Sequence, residues 1–217
     1  MQIHHLSENN SILNHFLGQI RDVNIHNDSL RFRKNMERIG EIMAYELSKN
    51  LDYQDAAVTT PLGTKATHYI KNPLVICSIL RAGLTLHNGF LNYFDTAENG
   101  FISAYRHHPN NDDFFEIIVQ YQAVADINNK SVVVVDPMLA TGQSIVAVYN
   151  RLMERGTPAE IHIAVVIAAP EGIAHLETEL PDTCHLWIAS IDDHLNEHSY
   201  IVPGLGDAGD LAYGQKL

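Results

Sequence analysis

The sequence predicts an α/β protein with a mostly parallel central sheet flanked by helices. Two stretches carry that expectation. Lys130–Gly156 opens on Val132, Val133, Val134 and Val135, a β-branched run with no polar alternation, as in a strand covered on both faces. Asp136 ends the run, Pro137–Ser144 forms a turn of small and hydroxyl residues, and Ile145, Val148, Tyr149, Leu152 and Met153 continue at helical spacing until Gly156. Leu74–Leu80 repeats the pattern: a doubly apolar strand stops at Arg81, Ala82 and Gly83, and Leu84, Leu86, Phe90, Leu91 and Phe94 follow as a helix.

The remaining elements fit around these two. Ile12, Leu13, Phe16, Leu17 and Ile20 form the apolar stripe of a short helix. Ser29 is read as the cap of a longer one carrying Phe32, Met36, Ile39, Met43 and Leu47. Arg31 and Arg33, at the start of that helix, read as a solvated face. Ala57–Tyr69, with Pro61, Leu62 and Gly63 at its turn, reads as a hairpin. Phe101–Tyr105 and Phe114–Tyr121 flank a polar, proline-interrupted tip and describe a second hairpin that protrudes as a lid. Its His107 and His108 point to opposite faces of a strand and read as solvated. Ile161–Ala168 is a further parallel-type strand, Pro170–Leu180 a helix, and Leu186–Ile191 one more strand ending at Asp192. The closing YIVPGLGDAGDLAYG has glycine at 204, 206, 209 and 214, so its backbone can offer N–H and C=O groups edge-on to a flat polar ligand.

At 217 residues, with 46% hydrophobic and 18% charged residues, one domain over 1–217 is expected. No apolar run approaches the roughly 20 residues needed to span a bilayer, and the N-terminus lacks the pattern of a secretion signal, so a cytoplasmic protein without membrane contact is expected. Cys77 and Cys184 read as packed thiols, and the sequons at Asn9, Asn27 and Asn129 carry no weight without a secretion signal. A net charge of −12 argues against a nucleic-acid partner. An anionic substrate then needs local positive potential from helix ends, a few of the 14 Lys and Arg, and a metal.

A loop leaving a buried strand to open a helix presents unpaired N–H groups to an anion. Thr141 and Ser144 add hydroxyls, and Gly142 admits close approach. Asp136, at the lip of an apolar strand, needs a partner such as a polyhydroxylated sugar or a hydrated metal ion. Arg81, at the equivalent strand end, suits phosphate, the alternative being a core-edge salt bridge. There is no GxxxxGK[ST], which argues against a triphosphate P-loop. The GxGxxG at Gly204, Gly206 and Gly209 leaves too little chain for a dinucleotide fold. His194 and His198 lack a third ligand and do not form HExxH.

Six segments in order then resemble the uracil phosphoribosyltransferase family: SILRAGL at Ser78–Leu84, AYR at Ala104–Arg106, VVDPMLATGQS at Val134–Ser144, AAPEGI at Ala168–Ile173, ASID at Ala189–Asp192 and NEHSYIVPGLGDAGD at Asn196–Asp210. The resemblance implies a type I phosphoribosyltransferase fold with a C-terminal base-binding segment. It also implies conversion of uracil and 5-phosphoribosyl-1-diphosphate (PRPP) to UMP and diphosphate, with Mg2+ as cofactor, GTP as an allosteric activator, and a homodimer or homotetramer.

Carried over by position, Asp136, Pro137, Met138, Leu139, Ala140, Thr141, Gly142, Gln143 and Ser144 bind the ribose hydroxyls and 5-phosphate of PRPP. Arg81 and Arg106 contact its diphosphate, Arg81, Arg106 and Asp136 form the catalytic set, and Asp207 reaches the sugar diphosphate or its metal. Ile201, Gly206, Asp207 and Ala208 read the uracil edge. Asp136 and Asp207 are expected to meet the metal through water. The sequence departs from the family pattern at Gln143, where a second glycine is usual, at Ser78 in place of a common proline, in the HHPNNDDFF tip and at Leu211. Two other functions are consistent with the fold: an RNA-binding regulator, against which the acidic charge speaks, and the same reaction on another base.

Overall fold

The computed structural model describes the backbone of residues 1–107 and 116–216, with the side chains at 105–107, 116 and 117 excepted; the tip of the expected lid, with His108 to Phe115, lies outside the described residues. In chain order the elements are β1 (Gln2–His5), α1 (Ile12–Arg21), α2 (Ser29–Ser48), β2 (Tyr53–Thr60), β3 (Gly63–Ile70), β4 (Leu74–Leu80) and α3 (Gly83–Leu91). They continue with β5 (Glu98–His107), β6 (Glu116–Ala123), β7 (Ser131–Val135), β8 (Met138–Leu139), α4 (Gln143–Met153), β9 (Glu160–Ala168), α5 (Pro170–Glu179), β10 (His185–Ile191), β11 (His194–Leu195), β12 (Ile201–Val202) and α6 (Ala208–Tyr213).

The main sheet runs β1-β10-β9-β7-β4-β5-β6, with β8 also paired to β9. All of its pairs are parallel except β5 with β6, so the expected mostly parallel sheet is found. The valine run explains its place in the middle. Successive strand residues point to opposite faces, so Val133 and Val135 enter the core beneath α1, α2, α3 and α6. Val132 and Val134 enter the core beneath α4 and α5. A polar residue at any of the four would lie in one core or the other. Cys77 and Cys184 are buried free thiols of the second core, and burial pushes them up to about 12 and about 11.

Several local readings change. The cap of α2 is Asp28, not Ser29: its carboxylate accepts from Leu30 N and Arg31 N, at 3.1 Å each, and an acid at this end also offsets the helix dipole and Arg31. Arg33 is not a solvated charge, since its Nη1 donates to Ala212 O at 2.7 Å and ties α2 to α6. Helix α4 stops at Met153, short of Gly156. The β2–β3 hairpin forms around the expected turn and stands largely exposed. No described helix is long and apolar enough to cross a membrane.

Candidate active site

The site lies where the parallel strands end. Strand β7 delivers Asp136, and its neighbour β4, in register with it at Ser78 and Val135, delivers Arg81. Between Asp136 and α4 the chain is not one continuous turn: Met138 and Leu139 pair with Ile167 and Ala168 of β9. Pro137 is buried, and its carbonyl accepts from Val166 N and Ile167 N, both at 3.0 Å. That anchor holds the first half of the loop to the sheet and leaves 140–144 to face outward.

Gly142 caps α4 with φ +81, a left-handed conformation that disfavours side chains. A Cβ there would meet Gly172 O and His175 Cδ2, each at 3.1 Å, so the loop is also pressed against α5. Helix α4 has no side-chain cap, so its first N–H groups are available to a ligand.

This loop forms one wall of a cavity of about 610 Å³, lined by Asp136, Met138, Leu139, Ala140, Thr141, Gly142 and Ser144. The tail supplies the facing wall through Ser199, Tyr200, Ile201, Gly206, Asp207, Ala208 and Gly209. A smaller recess of about 120 Å³ shares Asp136, Ser144 and Asp207 with it and adds Arg81. Arg81, Asp136 and Asp207 therefore meet at one crevice. Pro137 and Gln143 do not line it: Pro137 faces the sheet, and Gln143 is exposed at the first turn of α4, so its side chain does not crowd the loop. Arg106 lies near the end of β5, paired with Ile117 of β6; its side chain lies outside the described residues.

Among the described residues the Asp136 carboxylate accepts one weak hydrogen bond, from Met138 N at 3.3 Å, and burial pushes its carboxyl up to about 7. The Arg81 guanidinium is tied to the tail: Nη2 donates to Asp210 Oδ1 at 2.7 Å and Nη1 to Gly214 O at 3.1 Å. Its Nε is buried without a partner among the described residues. Asp207 caps α6 by accepting from Asp210 N at 2.9 Å.

The tail is fixed from below by Asp192, at the end of β10. Its carboxylate accepts from Arg21 Nη1 at 2.7 Å and from Gly204 N at 2.9 Å, while Arg21 Nη1 also donates to Gly204 O at 2.9 Å. The ASID segment had marked Asp192 by resemblance, but nothing in sequence pairs it with Arg21, 171 residues away. Sequence reasoning also missed Ser199, Tyr200 and Lys216 on the cavity wall. Ser199 has φ +59, an unusual value for serine that turns the chain into the tail. Lys216, at the end of the chain, carried no local signal.

A parallel sheet whose central strand ends in an acid, then a glycine-capped anion loop, facing a backbone-rich tail, defines the class as a phosphoribosyltransferase-type α/β protein. A sequence model of the uracil phosphoribosyltransferase family matches residues 7–215. A uracil phosphoribosyltransferase of Porphyromonas gingivalis is 50% identical over 217 residues, all of both chains, and one of Thermococcus gammatolerans is 36% identical over 213 residues, 97% of this chain and 92% of the other. Among solved structures, the AQ2163 protein from Aquifex aeolicus superposes with a TM-score of 0.87 at 29% identity, covering 98% of each chain. The chain belongs to the uracil phosphoribosyltransferase family.

Proposed function

We propose that this protein transfers the phosphoribosyl group of PRPP to uracil, giving UMP and diphosphate. The observation that carries the reading is the single crevice in which an anion loop, the Asp136 carboxylate and the tail backbone face one another. Each matches one part of the reaction. Backbone N–H groups of 140–144, with the Thr141 and Ser144 hydroxyls, take the 5-phosphate. Asp136 accepts from the ribose hydroxyls, and their hydrogen bonds favour its ionised form. Arg81 and Arg106 neutralise the departing diphosphate. The uracil edge is read by backbone groups at Ile201 and Gly206 to Ala208.

Departure of diphosphate leaves a cation-like sugar at C1, which the uracil nitrogen attacks as its proton is lost. The work of the protein is alignment, charge neutralisation and exclusion of water, and an activated nucleophilic side chain is not required. Mg2+ binds through one or two carboxylates with substrate phosphates and water. Asp136 and Asp207 on one crevice fit that requirement, and no cluster of three ligating side chains is found among the described residues. Bound there with PRPP, the ion would supply charge neutralisation at the diphosphate. The same family reading proposes a homodimer or homotetramer and activation by GTP, which sedimentation and a GTP titration of the initial rate test.

The direct test incubates the purified protein with Mg2+, PRPP and labelled uracil. UMP is the expected product, and hypoxanthine, orotate and cytosine should not compete. Absence of UMP across pH and with added GTP overturns the reading; transfer to one of the other bases corrects the substrate.

A further inference from the structure

A chain of hydrogen-bonded polar groups runs from Ser78, three residues before Arg81 on the same stretch of chain, and ends at the exposed Asn99. Ser78 Oγ is 2.6 Å from His87 Nδ1, and His87 Nε2 is 2.6 Å from Asn99 Oδ1. The three groups bridge β4, α3 and β5, and Ser78 and His87 are fully buried. Their roles follow from one outer contact. Asn99 Nδ2 donates to Ala97 O at 3.3 Å, which leaves Oδ1 as acceptor for a proton on His87 Nε2. Nδ1 is then the acceptor and Ser78 the donor. Burial holds the imidazole below its ordinary pKa and so keeps it neutral, and Phe101 stacks on it with ring centres 5.1 Å apart.

The Arg81 turn rests on this post. The backbone of Gly83 lies so close to the sheet that a Cβ would sit 2.7 Å from Val135 O and 3.4 Å from Ser78 Cβ. Leu84 N donates back to Arg81 O at 3.2 Å, so the turn and the first turn of α3 form one piece. Only Arg81 and Ala82 separate β4 from α3, so the height of α3 over β4 sets where the arginine emerges. Ser78 is also one of the positions where the chain departs from the pattern it resembles.

We propose that Ser78, His87 and Asn99 are positioning residues for Arg81, holding the diphosphate-binding guanidinium in the recess it shares with Asp136. The proposal rests on the phosphoribosyltransferase reading and names which substrate depends on the post. PRPP and diphosphate binding require it; uracil, held by the tail, does not.

Ser78→Ala removes the donor to His87 with little change of volume. It should raise KM for PRPP about fivefold to tenfold, the effect expected for one lost hydrogen bond in the support of a charged contact, while KM for uracil stays within about twofold. A merely structural role would lower Tm without dividing the two KM values. The decisive readout is a double-mutant cycle: in an Arg81→Ala background, Ser78→Ala should no longer change KM for PRPP. If Ser78→Ala does not yield folded protein, Ser78→Cys, which fills the site with a slightly larger atom and weakens the donor, is read in the same cycle. An unchanged KM for PRPP, or the same fold-change with and without Arg81, overturns the proposal. A parent protein that makes no UMP overturns the underlying reading instead, so the two failures are distinct.

Discussion

Replacing Asp136 with asparagine should stabilise the protein above neutral pH while disabling it. Burial raises the Asp136 carboxyl from 3.8 to about 7, so the folded protein holds this proton more tightly than the unfolded chain does. The stability the group contributes is therefore fully present below about pH 4 and is lost as pH rises through about 7. A shift of about three pKa units corresponds to a cost on the order of 4 kcal/mol for the ionised form, of which about 3 kcal/mol is incurred between pH 5 and pH 8. The asparagine side chain would carry no such charge and keep an oxygen for Met138 N, the one partner of the Asp136 carboxylate among the described residues. Thermal unfolding of D136N and the parent should then show a gap that widens from pH 5 to pH 8 by roughly 6–12 °C in favour of the variant. Its KM for PRPP should rise at the same time, because asparagine cannot supply the carboxylate that ribose hydroxyls and a hydrated metal require. A gap that does not change with pH, or a variant less stable than the parent at pH 8, refutes the assignment of Asp136 as a half-buried, desolvated carboxyl on the cavity wall.

Other consequences can be measured alongside. Since bound PRPP favours the ionised Asp136, KM for PRPP in the parent should fall as pH rises from 6 to 8, and D136N should lose that part of the dependence; profiles of the same slope contradict it. Gly142→Ala places a Cβ at φ +81 against Gly172 O and His175, so it should lower stability by about 1–2 kcal/mol and raise KM for PRPP at least tenfold, as read by thermal melts and initial rates. Gln143→Gly should change KM for PRPP by less than about twofold, because the side chain is exposed and does not line the cavity. Arg21→Ala leaves the Asp192 carboxylate buried beneath the tail with Gly204 N as its one partner among the described residues, and should cost roughly 3 kcal/mol and raise KM for uracil more than KM for PRPP.

The parts of this fold legible in the sequence are those whose burial leaves a period. Val132 to Val135 and Leu74 to Leu80 read as central strands because both faces had to be apolar, and the two cores confirm it. The Asp136 loop was legible because a carboxylate at the end of such a run has no structural reason to be there. What escaped was held by long-range partners. Strand β1, with Gln2, His4 and His5, has little β character of its own and forms because β10 offers it a parallel edge. Helix α6, only six residues long with a glycine and an aspartate in its first turn, depends on the Asp207 cap and on Arg33 reaching Ala212 O. Strand β8 exists because Met138 and Leu139 find β9. The same holds in the site: Arg81 was visible as an arginine at a strand end, but its bonds to Asp210 and Gly214 were not, since those partners lie 129 and 133 positions away.

The central claim is that one crevice receives both halves of the nucleotide. A crystal structure with UMP, Mg2+ and diphosphate tests it most directly. The 5-phosphate should sit on the N–H groups of residues 140–144, the ribose hydroxyls on Asp136, the pyrimidine edge on Gly206 to Ala208, and the diphosphate beside Arg81. A nucleotide bound elsewhere, or one whose base points away from the tail, contradicts the account.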